Sequence, residues 1–513
     1  MNALAVLYGG NLTAHAFERI FSGKSALVRA LEGAAAFPGV TKTVLLAGEG
    51  FDLLAGRDFS APVSGFEILK APEWTKKRLL DSLAKRADGF DLTYYAWADC
   101  PLLDPALAAA IMKRHVRYAA EYSYADGWPY GFSPELLAPG IAAMLSGILG
   151  NDDGPVERDA LFQVIQKDIN AFDIETEISP VDLRSRRLSL SADSKRNLLL
   201  LASLTGAGLA CAADAERIIA ERPELLRTVP RFYAVQTSGP CPRSCPYCPY
   251  PLREFPAADR GGFLAPVRFE GLLDKIQDFS GDAVIDLSLW GELALHPQKM
   301  ELISMVLARP ALSLIIETSG LGWRREELET LAAAVRAAPR AAGPDSPAPL
   351  SWIVSLDAAD TFAEVSAGAS GVKCAKTLME LFPKDAYVQA IRVQGGEDAI
   401  ETFYRVWKDA GANVIIQKYD DFCGFLPKKQ ATDLSPVERH PCWHLMRDMN
   451  ILIDGSVPRC REDLSVLEGG LGNAFEEALE TLWIRGAEVY RKHCAGQYPG
   501  ICGNCDEYYT FNF

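Results

Sequence analysis

Three cysteines, Cys241, Cys245 and Cys248, stand in TSGPCPRSCPYCPYP with the spacing C-x3-C-x2-C. Three thiolates hold three corners of a [4Fe–4S] cube and leave one iron without a protein ligand. A substrate or cofactor can chelate that open iron and receive an electron. Zinc wants four ligands, and the loop offers no fourth Cys or His; a zinc knuckle or three unliganded thiols are the alternatives. Farther along, Cys442, Cys460, Cys502 and Cys505 supply four ligands, enough for a second and fully coordinated cluster. By spacing alone, structural zinc is its rival. Cys494 and Cys423 are spare, structural or alternate ligands.

These residues need elements to position them. The chain has 513 residues, more than one hydrophobic core organises, so several domains are expected. Residues 1–190 alternate short apolar runs with helical patterns, as an α/β layer does. Strands are expected at Leu4–Tyr8, Thr43–Ala47 and Leu92–Ala96, with helices at Ala14–Ala30 and Pro105–Arg117. A polar, basic stretch from Asp182 marks a boundary, and a helical linker fills 191–228. A second alternation then places strands at Phe232–Gln236, Val284–Leu289, Ser313–Glu317, Trp352–Ser355, Tyr387–Val393 and Val414–Gln417. Six parallel strands joined by crossovers make a partial (β/α)6 barrel over 229–430. The three-cysteine loop follows its first strand, at the end where such barrels carry chemistry. The Ala- and Pro-rich stretch 332–350 reads as a helix end and a surface loop. Residues 431–513 have weak periodicity and many turn residues, so a small irregular domain stapled by metal is expected there.

The net charge of −15 argues against broad attraction to nucleic acid or anionic lipid. MNALAVLYGG reads as a first strand, not a signal peptide. The longest uncharged stretch, Asn197–Ala213, is shorter than the roughly 20 apolar residues of a membrane span. A cytoplasmic location is expected, where clustered cysteines mean metal before disulfides.

The central loop, with Tyr247 before its third cysteine, resembles the signature of the radical S-adenosylmethionine (SAM) superfamily over about 230–425. In that family a Gly-Gly-Glu segment after the second strand holds the amino group of SAM, which implies Gly291 and Glu292 in LSLWGELALHP, with Trp290 replacing the first glycine. His296 matches a structural His-Pro. IETSG (316–320) stands where relatives have a Thr-Asn-Gly turn. VSLDA (354–358) resembles the fourth-strand motif near the SAM ribose and carboxylate, which implies contacts from Ser355 and Asp357. The arginine that relatives pair with the carboxylate has no match; Arg392 is a substitute. The resemblance implies an oxygen-sensitive enzyme that cleaves SAM reductively to a 5′-deoxyadenosyl radical, fed by a flavodoxin or ferredoxin. The tail, with its LGN and Leu-Trp elements, resembles the SPASM extension of peptide and protein maturases, implying one auxiliary [4Fe–4S] cluster on Cys442, Cys460, Cys502 and Cys505.

YYAWADCPLLDPALAAAIMKRH resembles sugar-nucleotide cytidylyltransferases of the GT-A type over about 1–180, which implies Mg2+ at Asp99. The phosphate loop departs from that family, offering only Gly9, Gly10, Arg19 and Lys24. An active transferase and a domain kept to recognise a nucleotide, a sugar or a partner both stay open. The leading expectation is a radical SAM enzyme acting on a peptide, protein or glycan-linked substrate. A nucleotidyltransferase with regulatory clusters and a non-enzymatic iron–sulfur redox sensor are the alternatives. Tyr250, Tyr419 and Asp420 are candidates for the barrel mouth.

Overall fold

The computed structural model describes the chain except residues 57–58, 60–62, 151–152, 251–261, 340–346, 357–369, 465–469 and 511–513. Its residues gather into two units, one holding 1–226 and the other the described residues from Arg227 onward. The linker helices therefore group with the first unit and the cysteine-rich tail with the second. No helix among the described residues is long and apolar enough to cross a membrane.

In the first unit the strands are β1 (Ala3–Gly9), β2 (Val40–Ala47), β3 (Phe66–Lys70), β4 (Leu92–Trp97), β5 (Tyr122–Asp126), β6 (Glu135–Leu137) and β7 (Ile174–Ile178). They form one sheet in the order β3-β2-β1-β4-β6-β5-β7. Only β6 runs antiparallel to its neighbours β4 and β5. β1 and β4 are buried along their whole length, as strands covered on both faces are. The helix expected over 14–30 is broken: a 3-10 turn covers Ala14–Phe17 and the α-helix starts at Ala26. Ser25 makes that start, its side chain accepting from the Val28 N–H, an N-cap worth about 1 kcal/mol. The linker is likewise two helices, Lys195–Gly206 and Ala212–Glu221, parted at Gly208, whose φ of +99° ends a helix at little cost to glycine.

The second unit carries β8 (Phe232–Val235), β9 (Ala283–Asp286), β10 (Leu312–Thr318), β11 (Leu350–Ser355), β12 (Ala386–Arg392) and β13 (Asn413–Lys418), each within a few residues of its expected range. They lie side by side and parallel in chain order. A seventh strand, β14 (Asp448–Ile451), comes from the tail and pairs parallel with β8. Two short strands, β15 (Ser456–Val457) and β16 (Gly472–Asn473), form a separate hairpin. Alternation along the strands sorts the two faces. Tyr233, Val235, Ile285, Leu314, Ile316, Trp352, Val354 and Val388 pack with the helices in the large core. Phe232, Ala234, Val284, Ile315 and Ile353 form a small cluster on the other face with no helix residue in it. That helix-free face lines a cavity at the C-terminal ends of the strands.

Candidate functional site

The cavity holds about 450 Å3 and is lined by residues from all six strands β8–β13. Cys241, Cys245, Tyr247 and Cys248 form part of its wall, together with Gly291, Glu292 and Ser355. These sequence-chosen residues, scattered over more than 100 positions, thus border one space. Asp357 lies outside the described residues. Burial pushes the Cys241 thiol up and the Cys248 thiol up to about 11. By accessible surface Cys241 is exposed and Cys248 half-buried, and a thiol of either kind gives up its proton when it binds a metal.

The turn after β9 is stitched to the cysteine loop. Gly291 has φ +75°, and a Cβ there would meet the Ser238 carbonyl oxygen at 1.9 Å. The Glu292 N–H donates to the Pro240 carbonyl at 2.9 Å, one residue before Cys241. Trp290 also has positive φ, 51°, a conformation that costs a non-glycine residue about 1 kcal/mol or more. Its ring is stacked against Tyr250 at 6.2 Å and tilted on Phe422 at 5.7 Å.

Glu292 is 3% exposed, and four donors meet its carboxylate. Oε1 accepts from the Thr318 hydroxyl at 2.8 Å and the Ala294 N–H at 3.2 Å. Oε2 accepts from the Ser319 N–H at 2.8 Å and the Ser319 hydroxyl at 2.7 Å. Its side chain thus braces the turn after β10. His296 is a packing residue, bonded through Nε2 to the Leu264 carbonyl at 3.0 Å and accepting from the Gln298 N–H. Of the barrel-mouth candidates, Tyr250 and Asp420 line the cavity. Tyr419 is buried and its hydroxyl donates to the Pro427 carbonyl. Arg392 is exposed and absent from the cavity lining.

The cavity floor is acidic, a feature sequence reasoning missed apart from Asp420. Burial pushes Asp286 and Asp420 up to about 6 and raises Glu317. Gln389 donates to Glu317 at 2.9 Å. Among them stands Arg461, the residue after Cys460, with a loose ion pair to Glu462 at 3.8 Å and the Phe422 ring 5.7 Å away. The only signal for Arg461 was its adjacency to a candidate ligand.

In the tail, Cys442 precedes the helix Trp443–Arg447 and Cys502 sits in the turn Gly500–Gly503. Cys442 and Cys460 both lie within electrostatic reach of Cys502 and Cys505. The fifth thiol there is Cys423, in hydrogen-bond contact with Cys505 and holding it below the usual thiol range. Cys423 follows Phe422, and both have positive φ. Cys494 instead packs in an apolar cluster with Cys442, Tyr490 and Tyr508.

In the first unit Asp99 does not fit the expected Mg2+. Arg158 holds both its carboxylate oxygens, Nη1 to Oδ1 at 3.2 Å and Nη2 to Oδ2 at 2.8 Å. Of the two basic residues the phosphate loop offers, Lys24 is paired with Glu32 at 2.7 Å and Arg19 is exposed.

No family model matches the chain. A Treponema pallidum (strain Nichols) protein, described as uncharacterized, is 39% identical over 371 residues, which is 69% of this chain and 98% of that one. Among solved structures, a cytidylyltransferase from Leptospira borgpetersenii serovar Hardjo-bovis is 16% identical with a TM-score of 0.36, covering 44% of this chain and 95% of its own. BtrN in complex with AdoMet and 2-DOIA is 17% identical with a TM-score of 0.36, covering 55% and 93%. Scores this low decide neither fold nor activity.

Proposed function

This chain belongs to one family with the Treponema pallidum protein, and because that relative is described only as uncharacterized, we propose from the chain's own cavity that it is a radical SAM enzyme. The observation that carries the reading is the single cavity bordered by Cys241, Cys245, Cys248, the Gly291-Glu292 turn and Ser355 at the ends of parallel strands. In this reading the three cysteines hold a [4Fe–4S] cluster with an open iron. The backbone around Gly291 would receive the amino group of SAM, and Ser355 from the cavity wall would serve its ribose and carboxylate; Asp357, proposed with it from the motif, lies outside the described residues. A cluster held by Cys241, Cys245 and Cys248 with SAM beside Gly291-Glu292 would supply radical chemistry, hydrogen abstraction from an unreactive position.

The chain's residues bind, orient and exclude water. Trp290, Tyr250 and Phe422 supply an apolar lip, and the acids of the floor with Arg461 supply the polar groups that grip a substrate. The substrate is a peptide, protein or glycan-linked molecule, and the electron donor a flavodoxin or ferredoxin. Cys442, Cys460, Cys502 and Cys505 hold one auxiliary [4Fe–4S] cluster, making the tail SPASM-like.

Anaerobic reconstitution followed by dithionite and SAM tests the reading. Wild type yields 5′-deoxyadenosine and Cys245→Ala does not. Protein carrying its full iron load and yielding none overturns it.

A further inference from the structure

We propose that Arg158 permanently takes the place of a divalent cation in the first unit, which therefore carries out no metal-assisted nucleotidyl transfer. Two carboxylates meet at its guanidinium. Asp99 follows β4, and Asp193 precedes the helix Lys195–Gly206. Nη2 of Arg158 lies 2.8 Å from Asp99 Oδ2 and 2.7 Å from Asp193 Oδ2. Side-chain exposures are 9% for Arg158, 4% for Asp99 and 11% for Asp193.

Two buried carboxylates facing one space repel each other unless a cation lies between them. Hard divalent ions fill such a space with carboxylate oxygens on some positions and water or phosphate on the others. Arg158 fills it differently. Its planar fork takes Asp99 on both oxygens, as guanidinium matches carboxylate. The Trp97 and Tyr130 rings lie 4.7 and 4.9 Å from its central carbon, and Nη1 reaches the Tyr130 hydroxyl at 3.3 Å. Held by rings and acids together, the guanidinium is not free to swing aside for a metal.

Asp193 is tied in further. Asn197 donates to Oδ1 at 2.8 Å and Ser191 to Oδ2 at 2.9 Å. The acids thus have protein donors where a metal centre would need open positions for phosphate oxygens. In the phosphate loop, Lys24 is paired with Glu32 at 2.7 Å.

The test is a Mn2+ titration of the full chain, with free Mn2+ read by electron paramagnetic resonance. Asp99→Asn and Asp193→Asn each report the site, so failure of one to fold leaves the other. Wild type is expected to bind the same number of ions as both variants. Arg158→Ser is expected to gain about one ion per chain, to lose it again when combined with Asp99→Asn, and to show a thermal midpoint that Mn2+ raises. One more ion on wild type than on either aspartate variant overturns the proposal. So does a folded Arg158→Ser protein that gains none. Should Arg158→Ser not fold, the wild-type comparison alone decides.

Discussion

Replacing Gly291 with alanine tests the joint between the glycine turn and the cysteine loop. The new Cβ would lie 1.9 Å from the Ser238 carbonyl oxygen and 2.7 Å from its carbon. An ordinary carbon–oxygen contact is about 3.3 Å, so the two backbones must part by about 1.4 Å. The neighbour is main chain, not a side chain that can turn away, and it leads three residues later into Cys241. At φ +75° alanine adds a conformational cost of about 1 kcal/mol. That cost is small beside the stability of a unit this size, so the chain still folds. The effect falls on position: a displacement near 1 Å of groups that orient reactants costs on the order of 100-fold in rate. The assay is 5′-deoxyadenosine formed per iron bound, with circular dichroism to follow folding. Gly147→Ala, in the helix Ile141–Leu149 with nothing within 4 Å of a new Cβ, is the control and should leave the yield unchanged. A Gly291→Ala protein with wild-type iron and wild-type yield would refute the reasoning.

Other perturbations follow from the same geometry. Glu292→Gln turns one acceptor oxygen into a donor facing donors (Ser319 or Thr318), so urea unfolding should show a loss of about 1–3 kcal/mol; an unchanged midpoint would contradict the bracing role. Asp286 has a folded-state carboxyl raised to about 6, so the native state holds its proton more tightly than the unfolded chain. The stability this gives is present below about pH 4 and is lost as pH rises through 6, by up to about 3 kcal/mol. Asp286→Asn should therefore exceed wild type in urea midpoint by more at pH 7.5 than at pH 5, and parallel profiles would rule this out. For the tail, Cys505→Ala should remove about four of about eight irons per reconstituted chain, while Cys423→Ala keeps all of them; iron loss in Cys423→Ala would make that thiol a ligand.

The strands of the second unit were legible because buried parallel strands are short apolar runs, and each of the six was visible as one. The cysteine spacing and the family-like Gly291-Glu292 segment pointed to residues that the structure places around one cavity. Other features depended on contacts between distant residues. Arg158 lies 59 positions from Asp99 in a segment with no motif, so nothing local announces that it closes the site. Cys423 meets Cys505 through a left-handed turn at Phe422 and Cys423, residue types that do not advertise such a conformation. The break in the expected 14–30 helix turns on one serine cap, which a periodicity count passes over. The Glu292 carboxylate shows the same limit: its type and place were readable, but its four internal donors were not.

The pairing of β14 with β8 also bears on how the chain is made. Phe232 and Asp448 are partners in one ladder, so more than 200 residues must be synthesised after β8 before its second edge is covered. Until then β8 presents a row of unsatisfied backbone groups, the kind of edge that recruits strands from other chains. Such long-range pairing is slow to form. The segment that completes the ladder lies between Cys442 and Cys460, so on the proposed cluster assignment metal binding and closure of the sheet would draw on the same stretch of backbone. On that assignment, a chain lacking iron would leave the β8 edge open for longer and more prone to pair with other chains.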